Sequence, residues 1–202
     1  MEGVMQQNLY APQLIVYTGP MWSGKSRMMN GQLEIGLIAH VRVLLVRPKK
    51  DTRVIRSGSV FSGDTIIVWK AQEIFDHPID EYEWIGFDEL QQFDDDVIDV
   101  FKRLLRMGKR VLCAGLDQDF KEDPFLLVAR AMALADHVFK LKSVCAKCRS
   151  LDGTRSQRLS DNQEVEDIGG EDKYEPRCFL CYVPPNGVVH AHEHSSTETD
   201  LS

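Results

Sequence analysis

The residues Gly19, Pro20, Met21, Trp22, Ser23, Gly24, Lys25 and Ser26 stand in the order G-x-x-x-x-G-K-[ST], and the chemistry this spacing serves is phosphate binding. Glycines let successive backbone N–H groups turn inward onto phosphate oxygens. A helix starting at the end of the loop adds its positive N-terminal end. Lys25 is placed to reach the β- and γ-phosphates, and the Ser26 hydroxyl to ligate Mg²⁺. A glycine-rich turn can match such a pattern by accident. Here the apolar run Leu14-Ile15-Val16-Tyr17 precedes the loop and a helical spacing follows it, which is the context the motif requires. The loop reads as a nucleoside triphosphate site.

A second group with chemical potential is Asp88-Glu89, at the end of the apolar run Trp84-Ile85-Gly86-Phe87. Phosphate-loop proteins place an acidic residue for Mg²⁺ at such a strand end. Asp88 suits the metal, directly or through water, and Glu89 suits the proton of an attacking hydroxyl. Two solvated charges at a loop start are the plainer alternative, and that alternative fits Asp94, Asp95 and Asp96 nearby. A third group is the cysteines. Four of the five form two C-x-x-C pairs, Cys145 with Cys148 and Cys178 with Cys181, separated by 29 residues. Each pair can clasp one side of a tetrahedral Zn²⁺, and four thiolates leave no open position, so such a site is structural. Free thiols or a redox pair remain as alternatives. Cys113 sits in an apolar run and reads as a core thiol.

These groups need elements to position them. Apolar runs at 14–17, 41–46, 65–69, 84–87, 110–115 and 138–141 read as strands. Residues 26–39, with Met29, Leu33 and Leu37 at helical spacing, read as a helix. So do 94–107, which begins with three aspartates and is followed by Gly108, and 125–135. Alternating strands and helices imply an α/β core, a parallel sheet flanked by helices. Beyond about residue 143 the pattern stops, and a small metal-held lobe without a core of its own is expected. The division that follows is an N-terminal extension over 1–12, a phosphate-loop core over 13–142, a zinc-binding lobe over 143–184 and a polar, disordered tail over 185–202.

The 202-residue chain carries 24 basic and 31 acidic side chains, a formal net charge of −7. An acidic surface argues against a general nucleic-acid binder. No apolar run of membrane-spanning length and no signal-peptide layout point to the cytoplasm, a reducing compartment in which the paired cysteines read as metal ligands before disulfides.

The chain resembles the type II thymidine kinases, and several stretches carry the likeness. The loop from Gly19 to Ser26 is similar to the family's GPMFSGKS. Asp51, Thr52 and Arg53 are similar to its DTR, and Asp88, Glu89, Leu90 and Gln91 to its DE-x-Q. Leu116-Asp117-Gln118-Asp119-Phe120 with Pro124-Phe125 resembles its LDG-x-F…PF. Val165, Glu166, Asp167, Ile168, Gly169 and Gly170, then Asp172, Lys173 and Tyr174, resemble the segment before its second cysteine pair. The resemblance implies transfer of the γ-phosphate of ATP to the 5′-hydroxyl of thymidine, with Glu89 as proton acceptor. Lys25 and Arg53 balance charge on the phosphoryl group, and Mg²⁺ accompanies ATP at Ser26 and Asp88. It places Asp51, Thr52, Arg53, Asp88 and Gln91 with the phosphate loop at the nucleotide. It places Phe120 against the base, with Met21, Leu116 and Phe125 closing the pocket. Val165, Glu166, Asp167, Ile168 and Gly169 become a lid on the base, Tyr174 helps fix the nucleoside, and the zinc ties the ends of the lid segment. It implies a homo-oligomer, commonly a tetramer, and inhibition by thymidine triphosphate.

Departures from the family pattern bear on the base. Gln92 stands where an aromatic usually stacks, with Phe93 following as a compensating ring. Leu90 replaces a small residue, Gln118 a glycine and Asp167 an apolar lid residue; Trp22 replaces Phe, and Ser156 takes the place of a pocket threonine. A deoxynucleoside kinase of altered base preference is therefore one alternative. Two others are a nucleoside monophosphate kinase and a phosphate-loop ATPase whose zinc ribbon binds nucleic acid. The zinc pairs follow the last strand instead of interrupting the middle of the chain, which disfavours the former. The acidic residues Asp161, Glu164, Glu166, Asp167, Glu171 and Asp172 disfavour the latter.

Overall fold

The computed structural model describes residues 11–51, 61–159 and 173–185. Its core is a parallel sheet of six strands: β1 (Leu14–Gly19), β2 (Val43–Pro48), β3 (Asp64–Val68), β4 (Trp84–Phe87), β5 (Arg110–Leu116) and β6 (His137–Lys140), in the order β3-β2-β4-β5-β1-β6. Helices α1 (Lys25–Ile38), α2 (Val97–Arg106) and α3 (Leu126–Leu134) cover it. Every expected strand and helix is present, with ends shifted by a few residues. The run at 65–69 becomes Asp64–Val68, and Trp69, outside the strand, is 69% exposed.

Side chains alternate across a strand, so each buried strand feeds two cores. Leu14, Val16, Val111, Cys113, Ile85 and Phe87 join Val97, Val100, Phe101 and Leu104 of α2 and Leu127 and Val128 of α3. Ile15, Tyr17, Leu112, Ala114, Val43 and Leu45 join Met29 and Leu33 of α1 on the other side. Close approach of α1 to β4 requires Gly36 and Gly86: a Cβ on Gly36 would lie 2.8 Å from the Trp84 ring, and one on Gly86 2.6 Å from Leu33 Cδ1. Helix α2 ends as a Schellman turn, Gly108 N–H donating to the Leu105 carbonyl and Lys109 N–H to Leu104. Helix α1 ends the same way, His40 to Leu37 and Val41 to Gly36, but the left-handed position is filled by His40 at φ 61°. Cys113 is buried among hydrophobic side chains, and burial pushes its thiol up, as a core thiol requires.

After β6 the chain forms a two-stranded antiparallel hairpin, β7 (Gly153–Arg158) with β8 (Tyr174–Cys178). The sequence does not announce these strands, because GTRSQR and YEPRC show no apolar alternation. The cysteines at the hairpin's end and the Ala146 N–H donating to the Pro176 carbonyl at 2.8 Å hold it together. Among the described residues, no helix is long and apolar enough to cross a membrane.

Candidate functional site

In a parallel sheet, strands β4, β5 and β1 present their C-terminal ends along one edge, where ligands of open α/β sheets bind. The loop after β1 and the Asp88-Glu89 pair after β4 therefore meet. Gly19 and Gly24 take φ of 138° and 82°, and Trp22 joins them at 64°. Lys25 Nζ donates to the Pro20 carbonyl at 2.7 Å, folded back over the loop that would hold a phosphate. Ser26 Oγ donates to Asp88 Oδ1 at 2.7 Å, which joins the two acidic and hydroxylic groups expected at a metal.

Asp88 is buried. Burial and the neighbouring Glu89 carboxylate push its pKa up to about 6, against the opposing pull of the Ser26 hydroxyl and Arg47. A carboxylate held in this state gains from a cation, so the donor set Ser26–Asp88 fits Mg²⁺.

Glu89 takes the left-handed backbone region, φ 54° and ψ 48°, a conformation of order 1–2 kcal/mol above the ordinary one for a side-chain-bearing residue. It is braced. Its N–H donates to Asp88 Oδ1 at 3.0 Å, and its Oε2 accepts from Gln91 Nε2 at 2.7 Å. Gln91 Oε1 in turn accepts from the Leu116 N–H at 3.0 Å. Gln91, expected at the nucleotide, is thus a bracket between Glu89 and the end of β5. Asp51 pairs with Arg47 at 2.6 Å, its side chain 1% exposed. Thr52 and Arg53 lie outside the described residues.

Where the nucleoside pocket is expected, Leu116 ends β5 and Phe120 follows it, and Phe120 is buried. Phe125 packs from the start of α3 against the core, its N–H donating to the Asp117 carbonyl at 3.1 Å. Phe93 does not compensate for Gln92: it is buried in the core, its ring edge-on to Phe87 at 5.7 Å. Gln92 itself has a buried Oε1 without a hydrogen-bond partner among the described residues. Val165, Glu166, Asp167, Ile168 and Gly169, the expected lid, lie outside the described residues, as do Gly170 and Asp172.

The lobe reaches this edge from the other side. Met21 N–H donates to Ser156 Oγ at 3.0 Å, so the phosphate loop touches β7. Gln118 Nε2 donates to the Thr154 carbonyl at 2.9 Å. The Tyr182 hydroxyl donates to the Phe120 carbonyl. Arg158, buried on β7, lays its guanidinium 3.8 Å over the Phe120 ring and donates to the Tyr174 hydroxyl. Sequence reasoning singled out Ser156 as standing in the place of a pocket threonine but missed its bond to the phosphate loop, and it missed Arg158 and Tyr182, which carry no motif and meet their partners only through the fold.

The Sγ atoms of Cys145, Cys148, Cys178 and Cys181 all lie within 4.8 Å of one another, with Cys148 and Cys178 at 3.6 Å. Four sulfurs about 2.3 Å from a tetrahedral ion stand about 3.8 Å apart. The cluster can hold a metal ion, and its thiols are not joined as disulfides.

The family model for thymidine kinase matches residues 12–182. The chain belongs to the thymidine kinase family. It is 36% identical over 174 residues to a thymidine kinase of Mycoplasma mobile, covering 83% of this chain and 86% of that protein. A solved structure, the flagellar accessory protein FlaH from Methanocaldococcus jannaschii, is similar over 64% of this chain and 71% of that one, at 18% identity and a TM-score of 0.49; a likeness that slight adds nothing to the argument. The family membership makes this chain an enzyme, a kinase, and accounts for the phosphate loop, the carboxylate pair and the cysteine cluster occurring in one chain.

Proposed function

We propose that the protein is a type II thymidine kinase that transfers the γ-phosphate of ATP to the 5′-hydroxyl of thymidine, giving thymidine monophosphate. The observation that carries this reading is the junction of the phosphate loop with the carboxylate pair. Ser26 and Asp88 share a hydrogen bond of 2.7 Å, and Glu89 is held next to them by Gln91 at 2.7 Å. The residues from Gly19 to Ser26, with Asp51, Thr52 and Arg53, take the nucleotide. Glu89 accepts the proton of the 5′-hydroxyl as its oxygen attacks the γ-phosphorus. Lys25 and Arg53 balance the charge that develops on the phosphoryl group. Mg²⁺ at Ser26 and Asp88 would neutralise charge on the phosphate oxygens.

Met21, Leu116, Phe120, Phe125 and Tyr174 form the nucleoside pocket, with Val165, Glu166, Asp167, Ile168 and Gly169 as its lid. Cys145, Cys148, Cys178 and Cys181 would hold a structural Zn²⁺ that ties the ends of this lid segment. The division into a core over 13–142 and a zinc lobe over 143–184 belongs to the same reading. So do a cytoplasmic location, a homo-oligomer and inhibition by thymidine triphosphate. The test is ATP-dependent phosphorylation of thymidine, deoxyuridine, deoxycytidine and thymidine monophosphate by wild type and Glu89→Gln. Thymidine should lead the panel, and Glu89→Gln should lower kcat by roughly 10²–10⁴-fold. Preference for deoxycytidine would move the specificity to Gln92 and Asp167. ATP hydrolysis without nucleoside turnover would sink the reading.

A further inference from the structure

Phe120 and Tyr174 come from opposite sides of the boundary between the sheet and the cysteine lobe. One follows β5, and the other opens β8. What joins them is Arg158 of β7, only 7% exposed. Its guanidinium carbon stands 3.8 Å from the Phe120 ring centre and 5.0 Å from that of Tyr174. One of its N–H groups donates to the Tyr174 hydroxyl oxygen. The β7–β8 register sets Arg158 directly opposite Tyr174, so the contact is built into the hairpin. The Tyr182 hydroxyl holds the Phe120 backbone at the same place.

A buried guanidinium loses hydration, which an apolar side chain of similar volume would not. What it supplies in return is direction. Its flat face suits an aromatic ring and its N–H groups suit a hydroxyl, a combination an ammonium on a flexible stem does not reproduce. We infer that Arg158 is a positioning residue for the nucleoside subsite, fixing the Phe120 ring and the Tyr174 hydroxyl in the orientation that receives the nucleoside. This inference rests on the thymidine kinase reading. Arg158 acts through these two residues and has no part in handling ATP, whose loop is bonded instead to Ser156 of the same strand.

The experiment is steady-state kinetics of the full-length, metal-loaded enzyme: wild type, Arg158→Lys and Arg158→Met, with thermal midpoint and zinc content measured on each. Arg158→Lys keeps the charge and loses the flat face. It should raise KM for thymidine roughly tenfold, leave KM for ATP within about twofold, and retain zinc. In a Phe120→Leu background the same substitution should have a smaller further effect on KM for thymidine, because only the tie of Arg158 to Tyr174 is then left to lose. An unchanged KM for thymidine in Arg158→Lys overturns the inference. So does a rise in both KM values together with a lower thermal midpoint, or failure of Arg158→Lys to fold, since either marks a purely structural role. Absence of thymidine turnover in the wild type overturns the parent reading, and the inference with it.

Discussion

Around β1 and β5 the side chains are closed off from water on both faces of the sheet, by one core that runs from β2 to α2 and α3 and by another that runs from β2 to α1. In the lobe of β7 and β8, the buried apolar cluster among the described residues is Cys145, Cys178 and Cys181. The two regions meet at the candidate site, and they are held by different forces. Burial of apolar area keeps the phosphate loop and Glu89 in place. In the lobe a four-sulfur cluster and a few polar and aromatic ties must do this instead. The part of the site proposed for phosphate should therefore be robust, and the part proposed for the nucleoside should depend on a metal held by the four cysteines.

Removing the metal is the strongest way to break this comparison. Chelation under denaturant-free conditions, or Cys178→Ser, should abolish thymidine phosphorylation, because metal binding is folding free energy for so small a lobe. A fluorescent ATP analogue should still bind, with affinity within a few-fold of the native protein. Loss of nucleotide binding in parallel would show that the lobe also supports the sheet. The converse substitution is Leu104→Ala in α2, fully buried in the core. It should lower stability by about 2–5 kcal/mol, and denaturant melts should lose nucleotide and thymidine binding in one transition.

Asp88 sharpens the comparison within the core. Its folded-state pKa of about 6 lies above the ordinary 3.8. The folded state therefore prefers the protonated acid. That preference stabilises the fold below the ordinary pKa and is lost as pH rises through 6. At pH 7.5, without Mg²⁺ or nucleotide, Asp88→Asn should melt higher than wild type, by up to about 3 kcal/mol. The gap should close as pH falls from 6 toward 4, while kinase activity is lost throughout. A wild type that is the more stable at pH 7.5 would refute the account of Asp88 as a carboxyl group whose charge is disfavoured by burial and by Glu89. The smallest effect is expected at His40, left-handed at the end of α1. His40→Gly should add up to about 1 kcal/mol and raise the thermal midpoint by a few degrees, with kinetics unchanged, since it touches neither half of the site.

The strands and helices of the core were legible because each shows its period or its apolar run within a short window. The hairpin of β7 and β8 was not, since its strands are polar and the cysteines clustered at its end are 30 residues apart. Phe93 misled for the opposite reason. An aromatic beside Gln92 looks like a ring for the base, but the extended backbone after the turn at Leu90–Gln92 carries it to Phe87 in the core. Gln91 was expected at the nucleotide from its place after Asp88-Glu89, but its bonds to Glu89 and to the Leu116 N–H of β5 needed the fold.

By itself, the sequence determined the chemistry available to this protein. A phosphate loop, a carboxylate pair and two cysteine pairs are defined by spacing along the chain, and the backbone geometry that spacing implies is local. The tertiary structure alone decided how these groups share one site. Met21 and Ser156 are 135 residues apart, and Tyr182 and Phe120 are 62 apart. Strand order and hairpin register bring such partners together, and hydrogen bonds and ring contacts of a few ångströms act only once they have done so.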